Sequence, residues 1–194
     1  PAQHVHVMTR LVCQHPTIQG PGTAPIRLVV IVLLPAPAHA HRAEHQLAES
    51  TRVERPKIMV LCDVSGSVSK VARFLLLFLY SLQDVLPQVR SFVFASELGE
   101  VTGHFSQLDT ETALGRIMEQ WANRPTDYGR ALTDFKRLAL DDVDHNTTVI
   151  MLGDARNNHG ASEAAVWAEV YRRSQRVLWL NPEGRYSWNS GDSI

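Results

Sequence analysis

Two apolar runs in this chain stop abruptly at an acid: "IMVLCD" at Asp63 and "VIMLGD" at Asp154. Ser65 and Ser67 follow the first acid at every second position, and the loop "NRPTDYG" between the two runs offers Thr126. Together Asp63, Ser65, Ser67, Thr126 and Asp154 supply two carboxylates and three hydroxyls, all oxygen. Such a set suits a hard divalent cation. Mg²⁺, which accepts few carboxylates and keeps several waters, fits it better than Zn²⁺, and Mn²⁺ accepts the same ligands. With only two acids in the set, an open coordination position stays attractive to a carboxylate arriving from outside.

Residues so far apart in sequence need a scaffold that brings them to one edge. "KIMVLCD" is a short continuous apolar run, as expected of a central parallel strand covered on both faces. "VSKVARFLLLFLYSLQDVL" predicts a deeply packed helix stopped by Pro87. "RSFVFAS" and "EVTGHF" read as two further strands joined by a polar turn around Glu97 to Gly99. "DTETALGRIMEQWA" carries Ala113, Leu114, Ile117, Met118 and Trp121 on one helical stripe behind an Asp109 or Thr110 cap. "TDYGRALTDFKRLALDD" repeats the design with Ala131, Leu132, Phe135, Leu138 and Ala139 behind Thr126 or Asp127. "TTVIMLGD", the helix "ASEAAVWAEVYRRSQ" and the strand "RVLWLNP" complete the series. Alternating strands and helices predict an α/β, doubly wound, Rossmann-like fold: a mostly parallel sheet with helices on both faces. Ligands of such sheets bind beyond the carboxyl ends of the strands, where strand order reverses, and both acids end strands there.

Composition narrows the function. The 194 residues are 44% hydrophobic with a formal charge of −1, enough for one core and without the positive field that recruits nucleic acid. No apolar stretch reaches the roughly 18 residues of a membrane-spanning helix. Cys13 and Cys62 are too few for a disulfide framework, and Cys62 sits within an apolar run, so a reduced thiol and a cytoplasmic protein are expected. Residues 1 to 56 differ from the rest: six of the nine histidines lie there, among scattered prolines and without sustained periodicity. The chain thus divides into a poorly defined flank, 1–56, and a folded domain, 57–194. Within the flank, "HAHRAEH" reads as compositional bias rather than a metal site. "IRLVVIVLLPAPAHA" is similar to a secretory signal, but about 26 residues precede it where a signal has a short basic start, so a loosely packed strand or an unstructured flank is the preferred reading.

In order and spacing, "DVSGS", the threonine of "RPTDYG" and the aspartate of "LGD" resemble the metal-ion-dependent adhesion site of von Willebrand factor A (VWA) domains. "MLGDARNNHG" and "LNPEGRYSWNSGDS" are similar to the CoxE-like branch of bacterial VWA proteins. The resemblance runs from about Pro56 to the C-terminus. It implies a VWA-type doubly wound sheet, with Asp63, Ser65, Ser67, Thr126 and Asp154 around Mg²⁺ or Mn²⁺ and contact through an acidic residue of a protein partner. It also implies a MoxR-type AAA+ ATPase as partner, in the maturation of a metalloenzyme client. The first 56 residues and the C-terminus depart from the family pattern, as in a shortened or rearranged member.

Asp127 has two readings, helix cap or support for the ligand loop. Arg156, Asn157 and Asn158 read as partner-binding or ligand-supporting groups, or as a polar turn; Trp179 and Trp188 as packing residues; Glu183 and Arg185 as surface charges. The expected protein is not an enzyme. The competing classes are a Mg²⁺-dependent phosphoryl hydrolase with Asp63 as nucleophile, and a secreted adhesion module. The first wants a second acid at position 65, where this chain has serine.

Overall fold

The computed structural model describes residues 17–18, 26–27, 29–33, 57–86, 88–158, 160, 163–184 and 186. Its centre is the run that begins the acid-and-hydroxyl motif. Strand β4 (Lys57–Asp63) lies between β5 (Val89–Phe94) and β7 (Thr147–Leu152), parallel to both, with Leu61 opposite Phe92 on one side and Met151 on the other. Strand β8 (Arg176–Asn181) extends the parallel set beyond β7. Two antiparallel strands close the edges, β6 (Leu98–Glu100) against β5 and β3 (Val29–Leu33) against β8, giving the order β3-β8-β7-β4-β5-β6. Two short strands, β1 (Thr17–Ile18) and β2 (Ile26–Arg27), pair only with each other.

Because β4 is covered on both faces, its apolar residues alternate between two cores. Val60 and Cys62 face helices α1 (Ser69–Val85), α2 (Thr102–Gln107) and α3 (Thr110–Trp121), packing with Leu75, Leu76, Leu79, Leu114 and Ile117. Met59 and Leu61 face α4 (Tyr128–Ala139) and α5 (Ala164–Arg173), packing with Phe92, Phe94, Phe135, Met151 and Val170. Asp109 caps α3 by accepting the Thr112 N–H, and Asp127 caps α4 by accepting the Arg130 N–H at 2.8 Å. Helix α1 ends at Val85, two residues before Pro87. The chain leaves β4 through α1 to β5 on one side and later returns to β7 on the other. Strand order therefore reverses between β4 and β7, and the carboxyl ends of these strands are where sheets of this kind bind ligands.

Three expectations change. "EVTGHF" is not a strand: the strand ends at Glu100, and Val101 and Phe105, one helical turn apart, are buried together in the α1–α3 core as α2 begins. Two apolar residues at that spacing satisfy helix as well as strand, and the Thr102 hydroxyl decides it by taking the Ser91 N–H where the ladder stops. The turn lies at Ser96–Glu97, which leaves Gly99 inside β6, where a side chain would collide with the Trp121 indole. Leu138, expected in the core, is 41% exposed, while Tyr128, at the other end of α4, is fully buried. The segment Val29–Leu33, in a stretch read as a loosely packed strand or an unstructured flank, supplies an edge strand of the main sheet. The histidine-rich stretch, Cys13, Arg185 and Trp188 lie outside the described residues. Among the described residues no helix is long and apolar enough to cross a membrane.

Candidate functional site

Three loops meet at the carboxyl ends of β4 and β7. The first leaves β4 at Asp63, which is 0% exposed, and turns at once because the Ser65 N–H donates to Asp63 Oδ1 at 2.8 Å. An aspartate that captures the amide two residues on folds its own chain back. The second loop precedes α4 and is held by the Asp127 N–H on the Ala95 carbonyl and by the Gly66 N–H on the Arg124 carbonyl. The third follows β7, and Asp154 Oδ1 accepts the Arg156 N–H at 3.0 Å, the same device used a second time.

These turns bring the predicted hydroxyls together. Thr126 Oγ1 donates to Ser65 Oγ at 2.6 Å, Ser65 and Ser67 are 3.0 Å apart, and Ser67 and Thr126 are 3.5 Å apart. Ser65 and Thr126 are buried and Ser67 is exposed, so the triangle has one corner in solvent. Six oxygens held about 2.1 Å from a small divalent ion lie about 3 Å from their neighbours, and the triangle's edges bracket that spacing. The donor set fits such an ion. Among the described residues there is no metal-binding group of three or more His, Cys, Asp or Glu; this rim relies on hydroxyls.

Charge at the rim is only partly compensated by the protein itself. Burial pushes the Asp63 carboxyl from 3.8 to about 7, with the neighbouring Asp154 adding to the rise and bonds from Ser65 and Tyr128 opposing it. Burial also raises Asp154, helped by the Glu183 charge, against hydrogen bonds from Arg156 and Ser67 and the Arg156 charge. Among the described residues no lysine, arginine or histidine forms an ion pair with Asp63. Two carboxyls that burial holds above their ordinary range are chemically suited to a nearby positive charge.

The remaining sequence candidates act as braces. Asn157, 1% exposed, accepts the Tyr128 N–H on Oδ1 at 2.7 Å and donates from Nδ2 to the Gly160 carbonyl. Asn158 donates to the Thr126 carbonyl at 3.0 Å. The two asparagines thus tie the Asp154 loop to the Thr126 loop. Arg156 pairs with Glu183 at 2.9 Å, so Glu183 is bonded into the third loop rather than being a simple surface charge. Asp127 is the α4 cap. Trp179 packs as expected and also donates its indole N–H to the Gly153 carbonyl at 2.9 Å. Sequence reasoning passed over two participants. Asn181 donates to the Asp154 carbonyl at 3.2 Å, and the Tyr128 hydroxyl donates to Asp63 Oδ2 at 3.1 Å. The only signal for Tyr128 was its place directly after "TD", where an aromatic reads as an ordinary helix-start core residue.

A sequence model of the family described as VWA domain containing CoxE-like protein matches residues 36–194. The chain belongs to that family. No curated protein matches it significantly. Among solved structures, a von Willebrand factor type A protein from Catenulispora acidiphila is similar with a TM-score of 0.46 at 13% identity, covering 76% of this chain and 34% of its own. Proximal thread matrix protein 1 from the mussel byssus gives 0.44 at 15% identity, over 62% of this chain and 36% of that one. An aerotolerance-related membrane protein from Bacteroides fragilis gives 0.41 at 20% identity, over 63% and 65%. The chain spans about a third of the first two and less than two thirds of the third.

Proposed function

We propose that this chain is a non-enzymatic, metal-dependent protein-interaction domain. Asp63, Ser65, Ser67, Thr126 and Asp154 hold Mg²⁺ or Mn²⁺, some directly and some through water. The observation that carries the reading is the hydroxyl triangle set against two buried carboxyls that burial raises above their ordinary range. When bound, the ion offers an acidic residue of a partner a positive charge at an open coordination position. The protein's own part is to hold the ligand oxygens in place: Ser65, Ser67 and Thr126 leave the charge of the site low, and the exposed Ser67 marks its open side.

Membership of the CoxE-like family supports a MoxR-type AAA+ ATPase as the partner, with this domain as its adaptor in metalloenzyme maturation or complex remodelling. The buried thiol of Cys62 supports a cytoplasmic setting. Calorimetric titration of Mg²⁺ and of Mn²⁺ into wild type and Asp63→Ala tests the metal: binding is expected in the former and lost in the latter, and equal isotherms overturn the reading. Turnover of a phosphate ester that vanishes in Asp63→Asn but survives Thr126→Ala would instead make the site catalytic.

A further inference from the structure

Tyr128 is the first residue of α4 and is 0% exposed. Its ring lies edge-on to Phe94, with centroids 4.9 Å apart, and stacks on Trp179 at 5.9 Å. A phenylalanine could make both of those contacts. The hydroxyl is therefore the informative part, because a buried hydroxyl costs free energy unless its hydrogen bonds are made. It makes two of opposite kind, donating to Asp63 Oδ2 at 3.1 Å and accepting the Ala155 N–H at 3.0 Å. Ala155 carries a left-handed backbone with φ of 65°, an uncommon conformation for a residue with a side chain, and it directly follows Asp154. Asp63 Oδ1 is already held by the Ser65 N–H, so the tyrosine fixes the carboxylate's second oxygen. The neighbouring backbone makes room for it: a Cβ on Gly153 would fall on the Tyr128 hydroxyl and come within 2.9 Å of Asp63 Cβ.

We propose that Tyr128 is a positioning residue for the oxygen cluster, its hydroxyl clamping the Asp63 carboxylate to the Ala155 backbone so that the acids ending β4 and following β7 are set in register. The proposal rests on the metal-binding reading of the same site. The clamp fits the topology. The two acids come from separate loops, and a group that both donates to a carboxylate and accepts from an amide links them without adding charge. Removing a hydrogen-bonding partner of a metal ligand typically costs about 10- to 100-fold in metal affinity.

The test compares the full chain with Tyr128→Phe and with Phe94→Leu, which loosens the same ring but keeps the hydroxyl. Mn²⁺ affinity is measured by electron paramagnetic resonance, and exchange of the Ala155 amide by NMR. Tyr128→Phe should weaken Mn²⁺ binding about 10-fold or more and speed Ala155 exchange, whereas Phe94→Leu, despite a lower melting temperature, should stay within about twofold of wild type in affinity. Equal Mn²⁺ affinity in Tyr128→Phe and wild type overturns the clamp and leaves the metal site standing, as does an equal loss in both variants. A wild-type chain that binds no Mn²⁺ overturns the metal reading and the clamp with it. If Tyr128→Phe does not fold, 3-fluorotyrosine in the wild-type chain, with its four tyrosines, replaces it. The Tyr128 fluorine resonance should then move along the Mg²⁺ binding isotherm, and a resonance that stays still through saturation overturns the clamp.

Discussion

The two ends of the same parallel strands treat charge in opposite ways. At the amino ends, Lys57 and Asp144 meet at 2.6 Å, and Arg90 is forked onto Glu100 at 2.8 Å while also reaching Asp142 at 2.7 Å. There the lysine bond holds the Asp144 carboxyl down at about 2. At the carboxyl ends, Asp63 is buried among hydroxyls and its carboxyl is pushed up to about 7. One residue type thus sits on either side of its ordinary value within one sheet, and the neighbours decide the direction. The amino-end charges complete themselves within the fold. At the carboxyl ends Asp63 has no ion pair among the described residues, and Asp154 is offset only in part by Arg156.

The largest effect expected from breaking this contrast is at Asp63. Its native carboxyl binds a proton more tightly than the unfolded one, so its stabilising contribution is complete below about pH 4 and is lost as pH rises toward about 7. The amide introduced by Asp63→Asn cannot ionise. In EDTA, urea denaturation should therefore find Asp63→Asn more stable than wild type by up to roughly 4 kcal/mol at pH 8, with the gap closing toward pH 4. A pH-independent gap would mean that Asp63 ionises freely. A smaller effect is expected from Gly153→Ala, because the added methyl must displace Tyr128 or Asp63. Thermal unfolding should show a loss of about 1 to 3 kcal/mol, as for overpacking in general, and Mn²⁺ binding should weaken in parallel. The smallest belongs to the opposite edge. Lys57→Ala removes a pair whose side chains are 45% and 39% exposed, and should cost under about 1 kcal/mol without altering Mn²⁺ affinity. It should also flatten the acid limb of the stability profile, since Asp144 contributes above its unfolded value of 3.8 and loses that contribution as pH falls toward about 2, a loss the variant no longer shows.

The parallel core was legible because strands covered on both faces are apolar throughout, and β4, β7 and β8 read that way. The convergence of Asp63, Ser65, Ser67, Thr126 and Asp154 was legible from order and spacing together with the rule that ligands gather where strand order reverses. What escaped was decided by contacts distant in sequence. Val101 and Phe105 are spaced as well for a strand as for a helix, and only the arrival of Thr102 at Ser91 settles them. Tyr128 looks like any core aromatic until β4 brings Asp63 to its hydroxyl, across a separation of 65 residues. Asn157 and Asn158 look like a polar turn until the Thr126 loop lies beside them.

The edge strand β3 has a consequence for how the chain folds. Val29 pairs with Asn181 and Leu33 with Val177, so among the described residues the earliest strand of the sheet finds its neighbour in the last. Closing a contact across so much intervening chain is slow, because the entropy of the loop is lost before the pairing returns anything. On the ribosome, β3 emerges long before β8, the described strand it pairs with. The parallel core can assemble first around β4, with β3 docking as a late step. Substitutions in β3 should then chiefly speed unfolding, while substitutions in β4 should slow folding itself.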